Sequence, residues 1–143
     1  MQSAKPSAIV KPTLDTRYHI DYTWFERSGE DLRTYLLSHI APEQRERISQ
    51  SAEGRQVDYI DPETGEVSKL DELQLAIRSA SLEPDFINPH TSIVDCIFRV
   101  FLANGNKPQS SIQIAEYVGR PASLVLKTLS GGRVYKGIRP TTD

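Results

Sequence analysis

The sequence holds a single cysteine, Cys96, among 143 residues. One thiol excludes an intrachain disulfide and any zinc site built from several thiolates, and it fits a reducing compartment. No apolar run approaches the roughly 20 residues that cross a bilayer as a helix. The first twenty residues contain no apolar h-region, so no secretory leader is expected and a cytoplasmic location is. A large excess of one charge is missing too. The formal net charge is -2, which excludes a chain basic throughout that coats any polyanion. Histidine is sparse, and His19, His39 and His90 share no metal-ligand spacing such as i, i+4 on one helix. Neither a metal nor another cofactor is expected.

What is present is a soluble globular profile, 38% apolar and 25% charged, at a length suited to one ordinary domain or two very small ones. The charge is unevenly placed. Residues 1–90 carry 10 Lys/Arg against 16 Asp/Glu, a balance of -6, and residues 91–143 carry 7 against 3, a balance of +4. Such asymmetry points to a nucleic-acid surface on the basic segment. The acidic residues Asp58, Asp61, Glu63 and Glu66 lack EF-hand spacing, and Pro62 interrupts the loop they would need. His19 beside Asp21 and Glu26 is the nearest approach to an acid/base cluster, and a solvent-facing edge strand accounts for it. No enzymatic activity is expected.

Residues 1–13 mix Lys, Pro and Ser without periodicity and read as an extended arm, in which Lys5 and Lys11 are cations. "YHIDYTWF" (residues 18–25) alternates in part and is rich in aromatic and β-branched residues, as a short strand would be. Trp24 and Phe25 of this stretch fit either core packing or a partner-binding surface. Ser28 is the expected N-cap of a helix carrying Leu32, Tyr35, Leu36 and Ile40 and ending near Ala41, before Pro42. A polar helix then begins with Pro42 in its first turn. Residues 56–70 read as a β-hairpin turned by "DPETG", and Asp71 caps a helix with Leu73, Ala76, Ile77 and Ala80 at helical spacing. The proline-punctuated residues 83–90 form a linker between a mixed region, 14–82, and a C-terminal unit, 91–143.

That last unit opens on a strongly amphipathic helix, capped by Thr91 or Ser92, with Val94, Ile97, Phe98, Phe101 and Leu102 on one face. Cys96 lies on it as a core or boundary residue. Gly105 ends it. Ser110 or Ser111 caps a short helix that Gly119 breaks, and Pro121 starts another that Gly131–Gly132 stops. In "IAEYVGRPASLVLKTL", Ala115 offers a small residue where two helices cross. Gly119 follows four positions later, where a positive φ is useful, and Val125 six further on points into the core. This small–turn–apolar spacing, with Ile114, Val118 and Leu129, resembles the helix-turn-helix family over about residues 92–140. The long preceding helix and the trailing "GGRVYKGIRP" make it similar to the winged variant. The expected fold class is therefore α+β: helices and a hairpin, then a C-terminal winged helix-turn-helix.

The resemblance implies duplex DNA as partner, in a transcription or DNA-processing role. If Ala122, Val125, Leu126 and Leu129 face the core, Ser123, Leu124, Lys127, Thr128 and Ser130 face outward. Base-edge reading favours Arg, Lys, Asn or Gln, and Lys127 alone qualifies. The remaining cations lie at the turn, Arg120, and in the expected wing, Arg133, Lys136 and Arg139. Such residues grip phosphates without reading sequence. The expected interface is thus Arg120, Ser123, Lys127, Thr128, Arg133, Lys136 and Arg139, either dominated by backbone contacts or reading bases through a wing arginine in the minor groove. Exposed Leu124 supports an alternative, an adaptor whose winged helix docks protein. In the DNA-binding reading the acidic N-terminal half would not touch DNA and would dimerise or dock a partner.

Overall fold

The computed structural model describes residues 11–49, 56–60 and 64–141. Lys5 of the expected arm and Asp61, Pro62 and Glu63 of the acidic turn lie outside them. Along the chain come β1 (Arg17–Ile20), α1 (Thr23–Ser28), α2 (Leu32–Leu37), α3 (Pro42–Ser49), β2 (Gln56–Ile60), β3 (Val67–Asp71), α4 (Glu72–Ser81), α5 (Ile93–Ala103), β4 (Gln109–Ser110), α6 (Ser111–Val118), α7 (Ala122–Leu129) and β5 (Ile138–Pro140). The architecture is α+β. It divides into two compact units: one made of the chain up to Ser28 and from Ile87 onward, the other of Gly29–Phe86.

The first unit is built on a three-stranded antiparallel sheet in the order β4-β1-β5. Its central strand comes from the N-terminal region, not from the C-terminal segment expected to fold alone. β1 alternates as a half-buried strand must: Tyr18 and Ile20 are buried at 0% and 2% exposure, while Arg17 and His19 take the other face. Tyr18 stands opposite Gln109 on one side and Pro140 on the other, and Ile20 stands opposite Ile138. Where β4 runs out, Asn106 substitutes for it. Its Oδ1 accepts the Ile20 N–H at 2.8 Å and its Nδ2 donates to the Ile20 carbonyl at 2.9 Å. That closes the ladder of a strand whose partner has only two residues.

α5 packs behind this sheet. Ile97, Phe98 and Phe101 of its expected apolar face are fully buried, and Val100 and Cys96 join them, while Val94 and Leu102 sit at the margin. Burying each such side chain is worth about 1.5–3 kcal/mol before entropy. The Cys96 thiol donates to the Asn88 carbonyl at 3.1 Å, and Asn88 Oδ1 accepts the His90 N–H and the Thr91 hydroxyl. Residues 87–90 of the expected linker are thereby tied to this unit.

The strand expected over Tyr18–Phe25 stops at Ile20. Asp21 turns the chain: its Oδ1 accepts the N–H and hydroxyl of Thr23 at 3.1 and 2.6 Å, and its carbonyl accepts the Trp24 N–H. The helix α1 that follows swings Phe25 into the core, edge-on to Phe98 at 6.4 Å.

In the second unit, Asp31 rather than Ser28 caps α2, accepting the Arg33 N–H, and the helix ends at Leu37 with Ser38 as its C-cap instead of reaching Ala41. The hairpin β2–β3 forms in the register Gln56↔Asp71 through Ile60↔Val67. Asp71 and Gln74 make a reciprocal capping box for α4, whose Leu73, Ala76 and Ile77 are buried.

Candidate nucleic-acid interface

The candidate surface is assembled by α6, α7 and the segment that returns to the sheet. Ser110 caps α6 by accepting the Gln113 N–H, and the Gln113 side chain accepts the Ser110 N–H. α6 ends on Gly119 in the left-handed conformation, φ 69°, ψ 29°, which a Cβ would resist. Pro121 then precedes α7 as its N-cap, with no side-chain cap bond, one position earlier than the first helical turn. Ile114, Val118, Val125 and Leu129 are all buried, at 0–7% exposure. The apolar set that fixes two short helices across a tight turn is therefore in place.

That packing sends Ser123, Leu124 and Lys127 outward, with Leu124 43% exposed. Thr128 is half-buried, and its hydroxyl donates to the Leu124 carbonyl at 2.8 Å. This bond along its own helix occupies the donor that would have met a phosphate.

The expected turn cation, Arg120, is spent on its own unit. Its Nη2 donates to the Pro89 and Thr91 carbonyls at 3.0 and 2.9 Å, which pins the entry to α5 against the α6–α7 turn. Arg133 is exposed, and its guanidinium lies 5.2 Å from the Tyr135 ring centroid, a cation–π contact. Lys136 is half-buried, in a positive-φ conformation of 53°.

Segment 130–137 of the expected wing contains no strand, and only Arg139 of its three cations lies on one, β5. It is nonetheless fixed at its far end. The Gly137 carbonyl accepts the Asp21 N–H at 2.8 Å, and Ile138 N–H donates to the Tyr135 carbonyl. Arg139 stands directly across from His19 on β1, and its Nη1 lies 3.5 Å from Asp21 Oδ2. Arg27 reaches the same oxygen at 3.4 Å. The Thr23 hydroxyl chiefly, with Arg27 contributing, holds the Asp21 carboxyl below the ordinary carboxylate range.

Of the two expected partner-binding aromatics, Phe25 is a core residue at 4% exposure, so it presents no docking surface, and Trp24 is half-buried against it at 5.0 Å. The exposed apolar side chains beside Leu124 in chain order are Ile112 and Tyr117 on α6, at 43% and 54%.

Division into units sharpens the charge asymmetry. Up to Ser28 and from Ile87, the first unit carries 11 Lys/Arg against 6 Asp/Glu, a balance of +5; Gly29–Phe86 carries 6 against 13, a balance of -7. Residues 117–142 hold five cations and no carboxylate. Arg17 and Arg27, absent from the expected interface, belong to the basic unit as well. The alternation of β1 points Arg17 outward from sequence alone, whereas no local pattern brings Arg27 beside Arg139. Among the described residues no cluster of His, Cys, Asp and Glu is placed to hold a metal, and no helix is long and apolar enough to cross a membrane. No protein-family model, curated protein or solved structure matches the chain.

Proposed function

We propose that the basic unit is a winged helix-turn-helix that grips duplex DNA chiefly by its phosphates, in a transcription or DNA-processing accessory role. α6 and α7 are its helix-turn-helix, and segment 130–140 is its wing. The observation that carries this reading is the sorting of charge on folding: a unit of +5 whose residues 117–142 are free of carboxylates. α7 exposes Ser123 and Lys127, and the wing exposes Arg133, with half-buried Lys136 next to it. Arg120 and Thr128 hold the scaffold instead, and Arg139 serves as a grip partly neutralised by Asp21. Affinity of this kind falls steeply with salt, by about 0.9 in logarithmic slope for each phosphate neutralised.

The test is duplex affinity measured against salt for Lys127→Ala and Arg133→Ala. Each is expected to lower the slope by about 1 and to weaken binding uniformly across sequences. A slope unchanged in both variants would remove α7 and the wing as the phosphate grip.

A second reading is favoured by exposed Leu124, Ile112 and Tyr117, which suit a protein-docking face. Under it Leu124→Asp abolishes association with a partner, seen by light scattering, and duplex DNA shows no salt-dependent binding at all.

A further inference from the structure

The geometry points to a second phosphate-binding surface on the outer face of the β4-β1-β5 sheet, formed by Arg17, Arg27 and Arg139 and taking a nucleic-acid backbone. It rests on the nucleic-acid reading above and shares Arg139 with it, while Arg17 and Arg27 lie on β1 and α1, outside the helix-turn-helix and wing. β1 turns Tyr18 and Ile20 inward, so Arg17 and His19 share the opposite face. β5 continues the pattern, with Ile138 buried opposite Ile20 and Arg139 exposed opposite His19. Directly paired residues of antiparallel strands have Cβ atoms about 4.5–5.5 Å apart, so His19 and Arg139 are immediate neighbours.

α1 brings the third arginine. Arg27 and Arg139 converge on a single atom, Asp21 Oδ2, at 3.4 and 3.5 Å. Two guanidinium groups repel unless an anion lies between them, and here one carboxylate holds both. Both distances exceed the roughly 2.7–2.9 Å of a strong charge-assisted hydrogen bond, so Asp21 holds the pair loosely and donors of both forks remain open to solvent. The arginine side chains are 56% and 45% exposed against 26% for Asp21, which places the carboxylate beneath and the cations above it. Arg27 Nη1 also donates to the Thr23 hydroxyl at 2.9 Å, which orients its fork. Arg17, exposed on the same face of β1 as His19, adds a third guanidinium group to this surface. A planar five-donor fork matches phosphate oxygens in a way an ammonium does not.

The experiment is fluorescence anisotropy of a short labelled duplex titrated with the full chain at several salt concentrations. The double variant Arg17→Gln/Arg27→Gln is compared with Lys127→Gln/Arg133→Gln, and thermal melts establish that both remain folded. Arg17→Gln/Arg27→Gln is expected to lower the salt slope by about 2, and Arg17→Lys/Arg27→Lys to restore the slope, which counts charges, but not the full affinity, which needs the guanidinium fork. A wild-type slope in Arg17→Gln/Arg27→Gln overturns this inference and leaves the proposed function standing. Loss of slope there with none in Lys127→Gln/Arg133→Gln sustains the sheet face and removes the helix-and-wing grip. Wild-type protein that binds duplex without salt dependence overturns both.

Discussion

Gly137 is the residue at which the returning segment meets the N-terminal turn. Its φ is +77°, and a Cβ there would stand 2.8 Å from the Asp21 carbonyl oxygen, with Phe25 and Trp24 atoms at 3.4 and 3.5 Å. The obstructing atom is backbone, engaged by the Trp24 N–H, so it has little freedom to retreat. Gly119 offers an internal reference: φ is +69°, and nothing lies within 4 Å of its would-be Cβ. Gly119→Ala should therefore cost only the left-handed torsional penalty, about 1–2 kcal/mol. Gly137→Ala adds a steric clash and is expected to cost about 2 kcal/mol more than Gly119→Ala. Urea unfolding of both variants measures the difference. Equal midpoints would mean that Asp21 and Gly137 approach less closely in solution. The same contact bears on the cations: the peptide that seats Gly137 positions Arg139 over Asp21, so a shift here displaces an arginine of the proposed surface.

At the scale of elements, what could be read from sequence was what is encoded locally. The caps of α4 and α6, the left-handed end of α6 and the buried face of α5 follow from residues within four positions of each other. Ser110 illustrates the strength of such a signal. It closes a capping box with Gln113 and is 8% exposed, so Ser110→Ala removes the acceptor for the Gln113 N–H in a site water reaches poorly. A loss of about 1–2 kcal/mol is expected, read from the denaturation midpoint at unchanged slope. The elements that were not legible depend on distant partners. "YHIDYTWF" has the composition of a strand, yet it ends at Ile20 because Asp21 captures Thr23 and because Phe25 has Phe98 to pack against. β4 is two residues long and carries no strand signal; it exists because β1 lies beside it. The site divides the same way. Exposed Lys127 and Arg133 followed from helix phase and loop position, whereas Arg120 is claimed by carbonyls 29 and 31 residues away and Arg139 by a carboxylate 118 residues away.

Over the whole molecule, the chain leaves its basic unit after Ser28 and returns at Ile87, having built an acidic unit between. The expected C-terminal domain is thus completed by a strand and a short helix from the opposite end of the sequence. β4 and β5, of two and three residues, each pair with β1, and β1 is the strand between them. Without it neither has a partner in the sheet, and isolated strands of that length do not persist in water. The core loses Tyr18, Ile20 and Phe25 together, all at 4% exposure or less, and Phe98 loses its ring contact. Three large apolar side chains represent roughly 5–9 kcal/mol of burial, comparable to the whole net stability of a small domain. A fragment beginning at Ile87 should therefore keep helical propensity in α5–α7 but lack a cooperative thermal transition and dispersed amide resonances. Adding a peptide spanning residues 11–28 should restore both, at a concentration set by its affinity. A fragment that melts cooperatively on its own would show that the three helices suffice, and that β1 and α1 contribute arginines to the surface without holding up the fold.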